Sequence, residues 1–186
     1  MIKDGTGKGY LAKVDSKNRL RCYVVIEDEA SYINRIEKES YSVTFSGAIS
    51  ASSADNFVFY IKNTHDSKDM VIKRIKHRCS GDNGTVSFWL NVSGTPGGSL
   101  TTITPSNRNA ISNNAANCTV YKSSNITGLS GGRQVGSVFG KDGEEFEMVD
   151  PCSGFIIPPN GVFALKVNNT TASHYGGVSI YFRDVE

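Results

Sequence analysis

Apolar residues in this chain recur at every second position. Tyr41, Val43 and Phe45 alternate with Ser42, Thr44 and Ser46. Val86, Phe88, Leu90 and Val92 form a second such series, and Phe146 and Met148 alternate with Glu145 and Glu147. A period of two is the spacing of a strand with one buried face; an amphipathic helix needs a period near 3.6. Composition points the same way. Val, Ile, Thr, Phe, Tyr and Trp supply 60 of the 186 residues, whereas Leu, Ala, Met and Glu supply 27. That ratio excludes a helical bundle or coiled coil.

Turn signals divide the alternating runs. Ser80-Gly81-Asp82-Asn83-Gly84 and Pro158-Pro159-Asn160-Gly161 are the strongest. Roughly eight to ten short strands at such intervals predict an all-β fold, a single β-sandwich or jelly roll. Met70 to His77 reads as a strand with Met70, Ile72, Arg74 and Lys76 on one face and Val71, Lys73, Ile75 and His77 on the other. Residues 27–39 place acids first and bases later, which predicts a short helix with Tyr32, Ile33 and Ile36 on one side. Residues 93–116 are rich in Gly, Ser, Thr, Asn and Pro and read as one long loop, a length that is usually functional.

The opening reads differently. Residues 1–21 hold Lys3, Lys8, Lys13, Lys17, Arg19 and Arg21 against Asp4 and Asp15, six bases to two acids and a balance of +4. Gly5, Gly7 and Gly9 lie among them. This is the composition of an extended arm, so the expected organisation is an N-terminal arm over 1–21 and a sandwich domain over 22–186.

Bulk charge narrows the partners. A net charge of +2 is too balanced for a domain whose main partner is nucleic acid. The longest apolar runs, Tyr23–Ile26 and Phe57–Ile61, fall far short of the roughly 20 residues of a membrane helix. The N-terminus lacks the apolar stretch of a signal peptide, so synthesis in a cytosol is expected. Cys22, Cys79, Cys118 and Cys152 follow no disulfide or zinc spacing, and free thiols are the expectation.

Searches for chemistry return little. Gly5-Thr6-Gly7-Lys8-Gly9 lacks the preceding strand and the Lys-Ser/Thr ending of a phosphate loop. Cys22, His77 and Cys79 offer three soft ligands. Without a fourth, the expected reading is two buried thiols and a surface histidine, with no metal and no cofactor. Asp142, Glu144, Glu145, Glu147 and Asp150 read as the charged face of an edge strand rather than a calcium site or a glycosidase pair. No Gly-x-Ser-x-Gly elbow is present, and the histidines are only His65, His77 and His174. Trp89 has the opposite parity to Phe88 and Leu90, which makes it a candidate contact residue.

A resemblance goes further than the chemistry. The stretch Asp4-Gly5-Thr6-Gly7-Lys8-Gly9-Tyr10-Leu11-Ala12-Lys13-Val14-Asp15-Ser16-Lys17-Asn18-Arg19-Leu20 is similar to the opening of a family of structural proteins from tailed bacteriophages. Val58-Phe59-Tyr60-Ile61-Lys62-Asn63, Asn107-Arg108-Asn109 and Ile157-Pro158-Pro159-Asn160-Gly161 extend the match along most of the chain, in the same order. The resemblance implies a virion component rather than an enzyme, made in the host cytoplasm. The expected role is a decoration protein on the capsid exterior, a homotrimer that bridges major capsid subunits. Its basic arm would add a strand to a neighbour's sheet. Partner contacts are then expected at Lys3, Lys8, Lys13, Lys17, Arg19, Arg21, Trp89, Asn107, Arg108 and Asn109. The alternative is a tail, baseplate or head-fibre component that touches the host surface through loop 93–116 and the exposed aromatics. A lectin module or carbohydrate-active enzyme is the third reading, and the absent signal peptide weighs against it.

Overall fold

The computed structural model describes residues 13–14, 20–21, 28–50, 55–149, 154–168 and 172–185. Two short strands, β1 (Lys13–Val14) and β2 (Leu20–Arg21), pair antiparallel as a sheet of their own. Helix α1 (Glu29–Tyr32) follows and runs into a π-helical turn over Ile33–Glu37. The strands of the domain are β3 (Ser40–Ser50), β4 (Asn56–Asn63), β5 (Lys68–Ser80), β6 (Gly84–Leu90), β7 (Ser93–Gly97), β8 (Thr101–Thr102) and β9 (Ser106–Asn107). They continue with β10 (Cys118–Ser130), β11 (Arg133–Gly140), β12 (Glu145–Val149), β13 (Phe155–Ile157), β14 (Val162–Val167) and β15 (Ser173–Asp184).

These strands form two antiparallel sheets, and the all-β sandwich predicted by the alternation is the fold. One sheet has seven strands in the order β11-β6-β14-β4-β10-β7, with β8 also on β10. The other has six in the order β12-β5-β15-β3-β9, with β13 also on β5. The core fills the space between them. Tyr41, Val43, Met70, Ile72, Ile75, Val178, Ile180 and Phe182 come from the six-stranded sheet. Phe59, Ile61, Val86, Phe88, Phe163 and Leu165 meet them from the seven-stranded sheet. Phe155 of β13 stacks on Phe163 at 5.7 Å between ring centres and lies 6.3 Å from Phe88, so aromatic rings join the layers. No helix among the described residues is long and apolar enough to cross a membrane.

Two of the motifs behind the family resemblance turn out to lock one end of this sandwich. Asn63 is fully buried at the end of β4. Its amide donates to Lys68 O at 2.8 Å and to Ile157 O at 2.9 Å, which ties the two sheets together. The Pro158–Gly161 turn closes on the same residue: Asn63 N donates to Gly161 O, and Asn160 N donates to Asn63 O, both at 3.0 Å. Asn160 sits at φ 64°, a left-handed conformation that asparagine tolerates better than most residues.

The structure revises four expectations. In β5 the strict alternation breaks at Lys73, because the ladder to β15 steps from Arg74 to Ile72. That bulge puts Met70, Ile72, Ile75, His77 and Cys79 on the core side together, where an unbroken strand would split them. In the helical segment, Ile33 is buried while Tyr32 and Ile36 stand about half exposed. Ile33 packs with Ala30 onto Val71 and Tyr181, so the segment touches the sheet with one residue per turn rather than a stripe.

Residues 93–116 are not one loop, since β7, β8 and β9 lie inside them. Their residues are too small to show alternation, and β7 is held to β10 through backbone pairing and the Ser93 hydroxyl, which donates to Ser130 O at 3.0 Å. The approach is so close that a Cβ on Gly94 would run into the Gly128 carbonyl oxygen. These three strands also raise the two sheets to thirteen strands among the described residues, above the roughly eight to ten expected from turn spacing. The fourth revision is His77, which is 3% exposed rather than on the surface.

Candidate functional site

The predicted contact residues fall into four groups. Lys3, Lys8, Lys17 and Arg19 lie outside the described residues, as do Cys22, Asp150 and Cys152. Lys13 and Arg21 are register partners in the β1–β2 ladder. Trp89 and the Asn107–Asn109 group belong to two separate surface features.

The first feature is a frame of side-chain amides. The Asn107 amide donates to Lys38 O at 2.8 Å and to Asn114 O at 3.2 Å. The Asn109 amide donates to Asn34 O at 2.8 Å, and the Asn114 amide reaches Glu37 O at 3.4 Å. Asn107 Oδ1 accepts from Asn109 N, and Asn109 Oδ1 accepts from Ile111 N. Such Asx turns are why asparagine recurs here. Asn107 and Asn109 are therefore not free to grip a partner themselves. They brace the loop against the helical turn, and the loop presents Ile111 with 81% of its surface exposed. Arg108 N donates to Ser40 O at 2.8 Å, and Arg108 lines a shallow cleft of about 210 Å³ with Arg74 and Ser179.

The second feature is a cleft of about 510 Å³ on the outer face of the seven-stranded sheet. A bulge at Val58 turns Val58 and Phe59 both inward and leaves Phe57 and Tyr60 outward. Phe57 meets Trp89 edge to face at 6.1 Å. Lys166 Nζ lies 5.3 Å from the Trp89 ring centre and 5.7 Å from that of Phe57, within cation–π range. Asp55 sits 4.0 Å from the same ammonium. The Trp89 Nε1 is buried without a hydrogen-bond partner. Asn125, Thr127 and the Gly131-Gly132 turn complete the lining. Sequence reading found Trp89 by its parity. Phe57, Asp55 and Lys166 escaped it because strand order, not spacing, brings β4, β6 and β14 side by side.

The acidic group separates into two structural roles. Glu145 and Glu147 on the edge strand β12 pair with Lys76 at 3.0 and 3.4 Å, and Glu147 also pairs with Arg74. The hydrogen bond from Lys76 holds the Glu145 carboxyl below its usual range. Asp142 instead accepts from Gly81 N at 2.8 Å and fixes the β5–β6 turn.

The third feature is internal. His77 faces His174 and Cys79 inside the sandwich. Burial first, and the neighbouring His174 ring second, push His77 down to about 4, so its ring is neutral near pH 7. Cys79 and Cys118 carry free thiols, as expected. Burial pushes the Cys118 thiol up to about 12, which makes it inert as a nucleophile at neutral pH. His174 went unassigned in the sequence because nothing in one chain fixes the register of strands 95 residues apart.

No protein-family model, curated protein or solved structure matches this chain.

Proposed function

We propose that this protein is a structural component of a tailed-bacteriophage virion, a decoration protein that bridges major capsid subunits from the capsid exterior as a homotrimer. The observation that carries the reading is the braced loop at Asn107–Asn114 with Ile111 at its tip. A protein whose effect comes from surface joined to surface needs apolar groups held ready outside its own core. Ile111 is such a group, and its loop is ordered before any partner arrives, which lowers the entropic cost of docking. The likeness of residues 4–20 to phage structural proteins supplies the class of particle.

Copy number and incorporation test the reading. About one copy per capsid subunit is expected in purified particles. Ile111→Asp is expected to lower that occupancy roughly tenfold, the effect of losing one interface anchor. The isolated variant should melt at the wild-type temperature, because Ile111 contributes nothing to the core. Full occupancy with the variant, or absence of the protein from particles, overturns the proposal.

A tail or fibre role at the host surface is the second reading, and the Phe57–Trp89–Lys166 cleft is what favours it. Aromatic faces beside Asn and Asp side chains suit a sugar ring. Trp89 is the only tryptophan, so quenching of its emission by surface glycans reports on this cleft directly. Quenching, together with tens of copies per particle or fewer, favours this role over decoration.

A further inference from the structure

Three metal-ligating side chains converge inside the sandwich, and the virion reading uses none of them. His77 and Cys79 stand two apart on β5, so both point into the core. His174 on β15 is the register partner of Cys79. His77 Nε2 lies 3.0 Å from His174 Nδ1, and Cys79 Sγ lies 3.6 Å from that same nitrogen. All three ligand atoms lie within 4.8 Å of one another, and no residue of the three is more than 3% exposed.

Two of these three separations are close to those of a tetrahedral site. Bonds of about 2.0 Å to nitrogen and about 2.3 Å to sulfur, at the tetrahedral angle, place neighbouring donors roughly 3.3–3.6 Å apart. The two close separations, 3.0 and 3.6 Å, fall within a few tenths of an ångström of that range. Gly140 of β11 borders the thiol, and a Cβ there would come within 2.9 Å of Sγ. Glycine at that position leaves the sulfur its room.

We propose that His77, Cys79 and His174 form a buried binding site for one zinc(II) ion. A thiolate with two imidazoles is a soft donor set that selects zinc over magnesium or calcium. Three protein ligands leave one coordination position for a water molecule. Two Zn–N bonds and one Zn–S bond form, and the Cys79 proton leaves to solvent. The hydrogen that one ring donates to the other in the metal-free protein moves to the second nitrogen of its own ring. The ion then ties β5 to β15 at the end of the core away from the Asn63 lock, and binding adds to folding stability.

The test uses the full chain, stripped with a chelator under reducing conditions. After incubation with zinc chloride and gel filtration, about one zinc per chain should remain bound. X-ray absorption at the zinc edge should show one sulfur near 2.3 Å and two imidazole nitrogens near 2.0 Å, a readout that needs no variant. Cobalt(II) in place of zinc should give a thiolate charge-transfer band. Cys79→Ser should abolish that band, and His174→Gln should reduce retained zinc at least tenfold. No retained zinc in the wild type, a shell of oxygens or of several sulfurs, or a cobalt band that survives Cys79→Ser overturns the assignment.

Discussion

The two sheets turn different faces outward. On the six-stranded sheet the outer side carries Arg74, Lys76, Glu145 and Glu147 in cross-strand ion pairs, with Ile33 covering Val71 and Tyr181 beside them. On the seven-stranded sheet the outer side carries a second apolar cluster. Tyr60, Ile126, Val162 and Ala164 are buried there, and Trp89, Phe57, Leu100 and Tyr121 pack around them. The outer face of one sheet is thus charged beside a small apolar patch, whereas that of the other is apolar across its middle strands. Alternation marks the first kind, whereas the unbroken run Phe57–Ile61 marks the second. The contrast also separates roles: a charge-paired face resists association, and an apolar face with a cleft invites it.

The comparison is open to attack in order of size. Tyr60 is 4% exposed and stacks on Tyr121 at 6.1 Å, although it points away from the main core. Tyr60→Ala should cost about 3–5 kcal/mol, the cost of an aromatic deleted from a true core. A loss below about 1 kcal/mol in chemical denaturation would show that the outer cluster is only surface decoration. On the opposite face, Glu147→Gln should cost at most about 1 kcal/mol, the range of exposed ion pairs, and less in high salt. A cost rivalling that of Tyr60→Ala would erase the distinction between the faces.

The smallest effect is a titration. Glu145 has a folded pKa below its ordinary value of 4.5, so its pairing with Lys76 stabilises the fold above pH 4.5. That contribution disappears as pH falls through the lower, folded value. A carboxyl-detected NMR titration should place the Glu145 midpoint below 4.5, and Lys76→Met should return it toward 4.5. An unchanged midpoint in the variant would mean that Lys76 does not hold the carboxylate.

What the sequence made legible divides along a physical line. Period-two patterning gave the strands with one wet face, such as β3 and β12, because their side chains record burial directly. It failed where backbone geometry does the work. The Lys73 bulge shifted the parity of β5 and brought His77 inside, and no residue type at that position announces it. Strand β7 is paired through glycines that leave no hydrophobic trace. The sites were legible only in part: Trp89 from its parity, Asn107 and Asn109 from their motif, His77 and Cys79 as soft ligands. Their companions Lys166, Asn34 and His174 arrive by strand order and register, which depend on pairings between distant parts of the chain.

The amide brace around Ile111 has a mechanical consequence. Asn107, Asn109 and Asn114 hold the carbonyls of Lys38, Asn34 and Glu37, and Ile33 in the same turn is pressed onto β5 and β15. A tug on the loop tip is therefore shared among several parallel bonds and delivered broadside to the middle strands of a sheet. Rupture would require those bonds to fail together rather than one after another, so the tip can bear load without peeling away from its own body.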